Sequence, residues 1–291
     1  MARLVVLLAT ALLFLLLLFV SWGDGTVTAR WVVLGLLVVE LHEWLLYRFF
    51  PGTHALIRRE LAVYFVSPMA YVILTAMLFV CGFMFTTNVK IYNEARVPFT
   101  FFPTLNLMVW LIVFICPWIT ARLVAEEKNR GTIETLMTAP VREIQVVLAK
   151  YVAAMAFIVY LLLPSLFYVF LVMRYADVDW GAVATGYVGV LCAGGWIVAA
   201  GLFISSLCNS QMTAGVLTLL LALGLSLVNF VPQALPEGNW LRSFLQAVNL
   251  VDYMGDFLKG VLDTRQLTLA LSMIVFFLYE SVVVVGSRRW R

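Results

Sequence analysis

The chain has 291 residues, 64% of them hydrophobic and 12% charged, with a mean hydropathy of +1.01. A water-soluble enzyme or nucleic-acid-binding domain of this size could not cover such a surface with polar groups, so those classes are excluded. The net charge of +3 reflects Lys and Arg gathered beside apolar runs, a topology signal, more than an affinity for an anionic partner.

Apolar runs of about 20 residues recur along the whole length, each able to cross roughly 30 Å of hydrocarbon as an α-helix. The period-two alternation of a barrel strand is absent. The composition therefore predicts an all-α polytopic membrane protein. The first run, Leu4 to Val20, follows Arg3 and reads as an uncleaved span; as a signal peptide it lacks a good cleavage site, since Ser21-Trp22-Gly23 matches poorly. Trp31 to Tyr47 is the second span. Glu40, His42 and Glu43 at its end are either water-facing groups just past the lipid or an intramembrane relay.

Pro51-Gly52 breaks the chain, and residues 55–66 follow as an amphipathic helix. Ile57, Leu61, Tyr64 and Phe65 share one face, while Arg58 and Arg59 lie on the other. Ser67-Pro68 ends it. Spans are then expected at Met69–Thr87, Pro103–Thr120, Val146–Met173, Gly181–Cys208, Gln211–Val231 and Leu267–Gly286, with a loop from Asn88 to Phe102. Residues 239–262 mix apolar positions at three- and four-residue steps with Arg242, Asp252, Asp256 and Lys259. That pattern suits an interfacial or re-entrant region, broken near Gly255 or Gly260. The expected division is two N-terminal spans over 1–54 and a six-span unit over 55–291.

Orientation follows from Lys and Arg near span ends. Arg3, Arg48, Arg58, Arg59, Arg122, Lys128, Arg130, Arg142, Lys150, Arg288, Arg289 and Arg291 fall on one face; Arg30, Lys90, Arg96, Arg174, Arg242, Lys259 and Arg265 fall on the other. The richer face, with both termini, is expected in the cytoplasm, so the chain is expected in an inner (cytoplasmic) membrane of bacterial type.

The informative polar stretch is residues 121–145. Ala121 to Arg130 is expected to extend the preceding span as a helix, and Gly131 to end it, because a residue without Cβ tolerates the positive φ of a helix C-cap. Thr132 can cap a second helix, with Glu134 in its first turn and Ile133, Leu136 and Met137 as a small apolar face, until Pro140 stops it. This is either a solvated loop carrying topology charges or a coupling element for a partner. Glu280, eight residues before Arg288, is a charge inside a span and is expected to face a partner helix or snorkel. The small residues Gly186, Gly189, Gly194, Gly195, Ala199 and Gly201 fit close helix packing or the lining of a substrate path. The four cysteines, Cys81, Cys116, Cys192 and Cys208, lie in or beside apolar runs and read as small buried hydrophobes rather than metal ligands. No G-x-x-x-x-G-K-[ST] motif and no catalytic constellation is present, so neither a catalytic residue nor a cofactor site is expected in this chain.

Three separated stretches carry a family resemblance. EEKNRGTIETLMTAPV, Glu126 to Val141, resembles the cytoplasmic signature of ABC-2-type permeases. IRRELAVYFVSPMAYVIL, Ile57 to Leu74, resembles the elbow helix and first span of the gliding-motility-type members. FLKGVLDTRQLTLALSMIVFFLYESVVVVGSRRW, beginning at Phe257, resembles their last span and basic tail. The resemblance spans about residues 55–291 and implies a permease that pairs with a second permease and docks two separate ATPase subunits, which bind ATP and Mg. It assigns Glu126, Glu127, Gly131, Thr132 and Glu134 to the coupling element and Arg58, Arg59 and Glu60 to the elbow. The two spans over 1–54 depart from the family pattern; they are a variant of it, an accessory docking pair or a mis-assigned start. The function expected is ATP-driven export or mechanical work in the envelope. An ion-coupled secondary transporter and a non-transporting scaffold of a motility or envelope complex are the alternatives.

Overall fold

The computed structural model describes residues 51–132, 141–173, 178–228 and 255–287. The two N-terminal spans with Glu40, His42 and Glu43, the residue Glu134, most of 239–262 and the tail from Arg288 lie outside the described residues. Within them the chain is helical, with no strand. The helices are α1 (Pro51–Val66), α2 (Pro68–Ala95), α3 (Phe102–Ala121), α4 (Ala125–Asn129), α5 (Glu143–Leu162), α6 (Leu166–Met173), α7 (Trp180–Leu207), α8 (Gln211–Leu227) and α9 (Thr264–Gly286).

Among the described residues, five stretches are long and apolar enough to cross a membrane: Pro68–Ala95, Phe102–Asn129, Glu143–Met173, Trp180–Leu207 and Thr264–Gly286. The apolar α8 has 17 residues, and the rest of its expected span, from 229 to 231, is outside the described residues. The all-α polytopic class therefore holds.

Local chemistry explains where the helices begin and end. The Ser67 hydroxyl accepts from Met69 N at 3.4 Å, and Pro68 occupies the first turn of α2, where its missing N–H costs nothing. Asp179 caps α7 by accepting from Gly181 N and Ala182 N, and Asp263 caps α9 by accepting from Arg265 N. Pro164 cannot donate to the preceding turn, so the span expected as continuous from Val146 to Met173 passes through a 3-10 turn at Leu163–Ser165 between α5 and α6. α2 runs on to Ala95, which converts most of the expected loop from Asn88 into helix. The helix closes at Arg96 in a left-handed conformation (φ 54°), and Val97 N donates to Tyr92 O.

α7 is the centre of the bundle. It packs against α3, α5, α8 and α9, and 72% of its membrane-crossing window is buried, against 22% for α2 and 17% for α9. The small residues allow this crowding. A Cβ placed on Gly201 would stand 2.7 Å from Thr120 Cβ of α3, and one on Gly195 would stand 3.2 Å from Ile274 Cδ1 of α9. Of the two readings of the glycine-rich span, close packing is the one this geometry supports. Gly201→Val is expected to destabilise the solubilised protein by about 1–3 kcal/mol through overpacking. Gly224→Val, with nothing within 4 Å of its added Cβ, should leave thermal unfolding unchanged. Melting curves of both variants in detergent test the contrast.

Candidate functional site

The residues singled out at the charged end of the bundle come together, but not as one continuous helix. α3 stops at Ala121 and the chain turns through Arg122–Val124 before α4 begins. Pro117 inside α3 already removes one helix hydrogen bond, and Thr120 turns its hydroxyl back onto Cys116 O and Pro117 O. The expected uninterrupted extension from Ala121 to Arg130 is thereby corrected to a break and a five-residue helix. The break would strand backbone donors in a buried place. Ser205 of α7 resolves this: its Oγ accepts from Val124 N at 3.1 Å and from Ala125 N at 3.0 Å. A serine on a neighbouring helix thus does the work of an N-cap. Lys128 reaches the other way and donates to the last carbonyls of α7, Ser206 O and Cys208 O. Its charge suits the negative end of that helix dipole.

The acidic pair then separates in role. Glu126 is held by Arg122 Nε at 3.1 Å and Arg130 Nη2 at 2.6 Å, each four residues away along the chain. Glu127 turns inward. Its Oε1 lies 2.8 Å from Lys150 Nζ of α5 and 3.2 Å from Arg59 Nη2 of α1. Glu60 of α1 completes the figure, with Oε2 3.2 Å from Lys150 and Oε1 2.7 Å from Arg59. Arg59, Glu60, Lys150 and Glu127 therefore form a closed, charge-neutral ring in which each carboxylate touches both cations. The ring joins α1, α4 and α5.

Burial sets the energetics of this ring. Only 2% of the Lys150 side chain is exposed, and 11% of Glu60. A charge so far from water persists only when paired, and removing one partner of such a pair costs about 3–5 kcal/mol. Arg59 is half exposed, and its contacts contribute less. Partial burial alone would lower the Arg59 pKa; the hydrogen bond to Glu60 and the charges of Glu60 and Glu127 outweigh it and raise it. Tyr64, one turn beyond Glu60, stacks on Phe157 of α5 at 5.0 Å between ring centres. Burial, with the Glu60 charge beside it, pushes its phenol up, so it remains a neutral hydroxyl.

The other expected site residues fall as follows. Arg58 is half-buried on α1 and has no part in the ring. Gly131 has φ +70°, the left-handed value its place after α4 requires, and the Thr132 hydroxyl donates to Glu127 O at 3.3 Å. The helix expected after Thr132, with Glu134, lies in 133–140, outside the described residues. Glu280 is half-buried on α9, far along the chain from the ring, and makes no ion pair among the described residues. Sequence reasoning missed two residues. Lys150 counted only as a topology charge, although a lone lysine between Ala149 and Tyr151 in an apolar run was a signal. Ser205 carried no signal, because a serine at the end of a small-residue span looks like packing.

Lys150→Met should lower the melting temperature of the solubilised protein markedly, by the equivalent of about 3 kcal/mol or more, because Glu60 and Glu127 then share only the half-exposed Arg59 as a counter-charge. Adding Glu127→Gln to that variant should recover part of the loss. A double variant no more stable than Lys150→Met alone would contradict the ring.

Residues 90–282 match the family model described as ABC-2 family transporter protein. No curated protein matches the chain at a significant level. The matched stretch takes in α3 to α8, nearly all of α9 and the whole segment from Arg122 to Gln145, and begins only after α1 and most of α2. With its apolar spans and its family match, the chain belongs to the ABC-2 transporter family and is a multi-pass membrane permease subunit of that type.

Proposed function

We propose that this chain is the permease half of an ATP-driven exporter, or of an envelope machine that uses ATP mechanically, and that it receives force from a separate ATPase through the segment 121–145. The single observation that carries this reading is the ring. It ties the segment after α3 to α1 and to α5, so a displacement applied at α4 reaches two other helices through short ionic contacts rather than through a slack loop. In this reading α1 is the elbow and Arg58 faces outward from it. Glu126, Glu127, Gly131 and Thr132 shape the coupling segment from within, and the surface that meets the ATPase is left to Glu134 and its neighbours. The charged end faces the cytoplasm of a bacterial-type inner membrane, two permeases pair, ATP and Mg belong to the partner subunit, and the chain works as a gliding-motility-type member of the family.

An ion-coupled transporter needs charged groups along the middle of its spans. Here the buried charges of α1, α4 and α5 cluster at one end and neutralise one another, which favours transmission over ion binding.

A P-loop ATPase is expected to co-purify with the protein from its native membrane in mild detergent. Glu127→Gln with Arg59→Gln should keep that ATPase bound and lower permease-stimulated ATP hydrolysis by roughly two- to thirtyfold, the range of a coupling term of about 0.5–2 kcal/mol. Glu134→Ala should instead weaken co-purification. Absence of any ATPase from the purified complex would sink the reading.

A further inference from the structure

At the end of the bundle opposite the ring, α2 outruns the bilayer. It has 28 residues, whereas about 20 suffice to cross the hydrocarbon. Counted from Pro68, the turns beyond Thr87 stand at head-group depth. There they meet the returning stretch 96–101 and the end of α6 around a cavity of about 650 Å³. Its floor is apolar, formed by Phe85, Phe99, Leu171 and Val172, while Lys90 and Arg96 line it as cations. Phe85 is fixed against Phe99 at 6.0 Å and against Tyr168 at 5.1 Å between ring centres, so the floor is a packed wall and not a set of loose side chains. The Arg96 backbone is held in its left-handed turn by donation to Asn93 O. Neither Lys90 nor Arg96 pairs with a carboxylate among the described residues, and Glu94, which does not line the cavity, makes no ion pair with Lys90.

We propose that this cavity is a binding site for a phospholipid of the bilayer whose head group carries a net negative charge. Lys90 and Arg96 hold the anionic head, and an acyl chain lies on Phe85, Phe99, Leu171 and Val172. Charge complementarity, depth and wall chemistry select this occupant together. Cations at head-group level attract anionic lipids, and every methylene that leaves water for the apolar floor multiplies affinity roughly fourfold. A free inorganic anion gains nothing from that floor. The inference needs only the membrane placement of α2 and does not rest on the ATPase reading.

The test uses the full chain in neutral detergent, with native mass spectrometry counting retained lipid. Phosphatidylglycerol should bind at least about tenfold more tightly than phosphatidylcholine. Lys90→Gln with Arg96→Gln should erase that preference, and Lys90→Arg with Arg96→Lys should keep it, which separates loss of charge from loss of fold. Val89→Trp, placed in the lining, should lower retention of both lipids. Equal retention of the two lipids by the unmodified chain, an unchanged preference in the double Gln variant, or full displacement by millimolar inorganic phosphate would each overturn the proposal.

Discussion

A buried ammonium is the constraint on which the charged end of this protein depends. Lys150 sits in α5 with almost no access to water, and at that depth its charge has to be neutralised by groups brought to it. Two carboxylates arrive from different parts of the chain: Glu60, ninety residues earlier, and Glu127, from the short helix after α3. Arg59 then bridges the same two carboxylates from outside, so neither is left facing a like charge unscreened. Once Lys150 is placed, the positions of α1 and α4 follow.

The packing of α7 supplies the second half of the arrangement. Its small residues let α3 come close enough for Thr120 to rest on Gly201. The same approach brings Ser205 under the break after α3, where it accepts from Val124 and Ala125. Lys128 returns the contact by donating to the end of α7. The stretch 122–132 after α3 is therefore fastened on two sides: ionically to α1 and α5, and through hydrogen bonds with backbone groups to α7. A segment fastened this way transmits displacement instead of absorbing it, which is what the proposed role in an ATP-driven machine requires.

Much of this was legible in the sequence, for identifiable reasons. Long apolar runs have one physical solution in lipid, so the spans from α2 to α9 could be read from composition. Gly131 could be placed at a helix end because a positive φ favours a residue without Cβ. What could not be read was tertiary. The run from Ala121 to Arg130 has good helix formers at most positions and no Gly or Pro to mark its break, which is stabilised by a serine some eighty residues later. The same limit applies to Glu126 and Glu127: adjacent on the chain and alike in chemistry, they separate only because Lys150 lies on one side of α4. The extension of α2 past Thr87 was also hidden, since Asn88 to Ala95 is polar enough to read as loop when its aromatic partners are unknown.

The most direct test of the central claim is hydrogen–deuterium exchange on the purified protein, comparing wild type with Lys150→Met. If Lys150 holds α1 and α4 in place, backbone amides in 53–66 and in 122–132 should lose protection together, while those of 104–120, inside the bundle, should exchange as in wild type. Wild-type protection in both segments of the variant would show that the ring is an ornament on a fold held by other contacts.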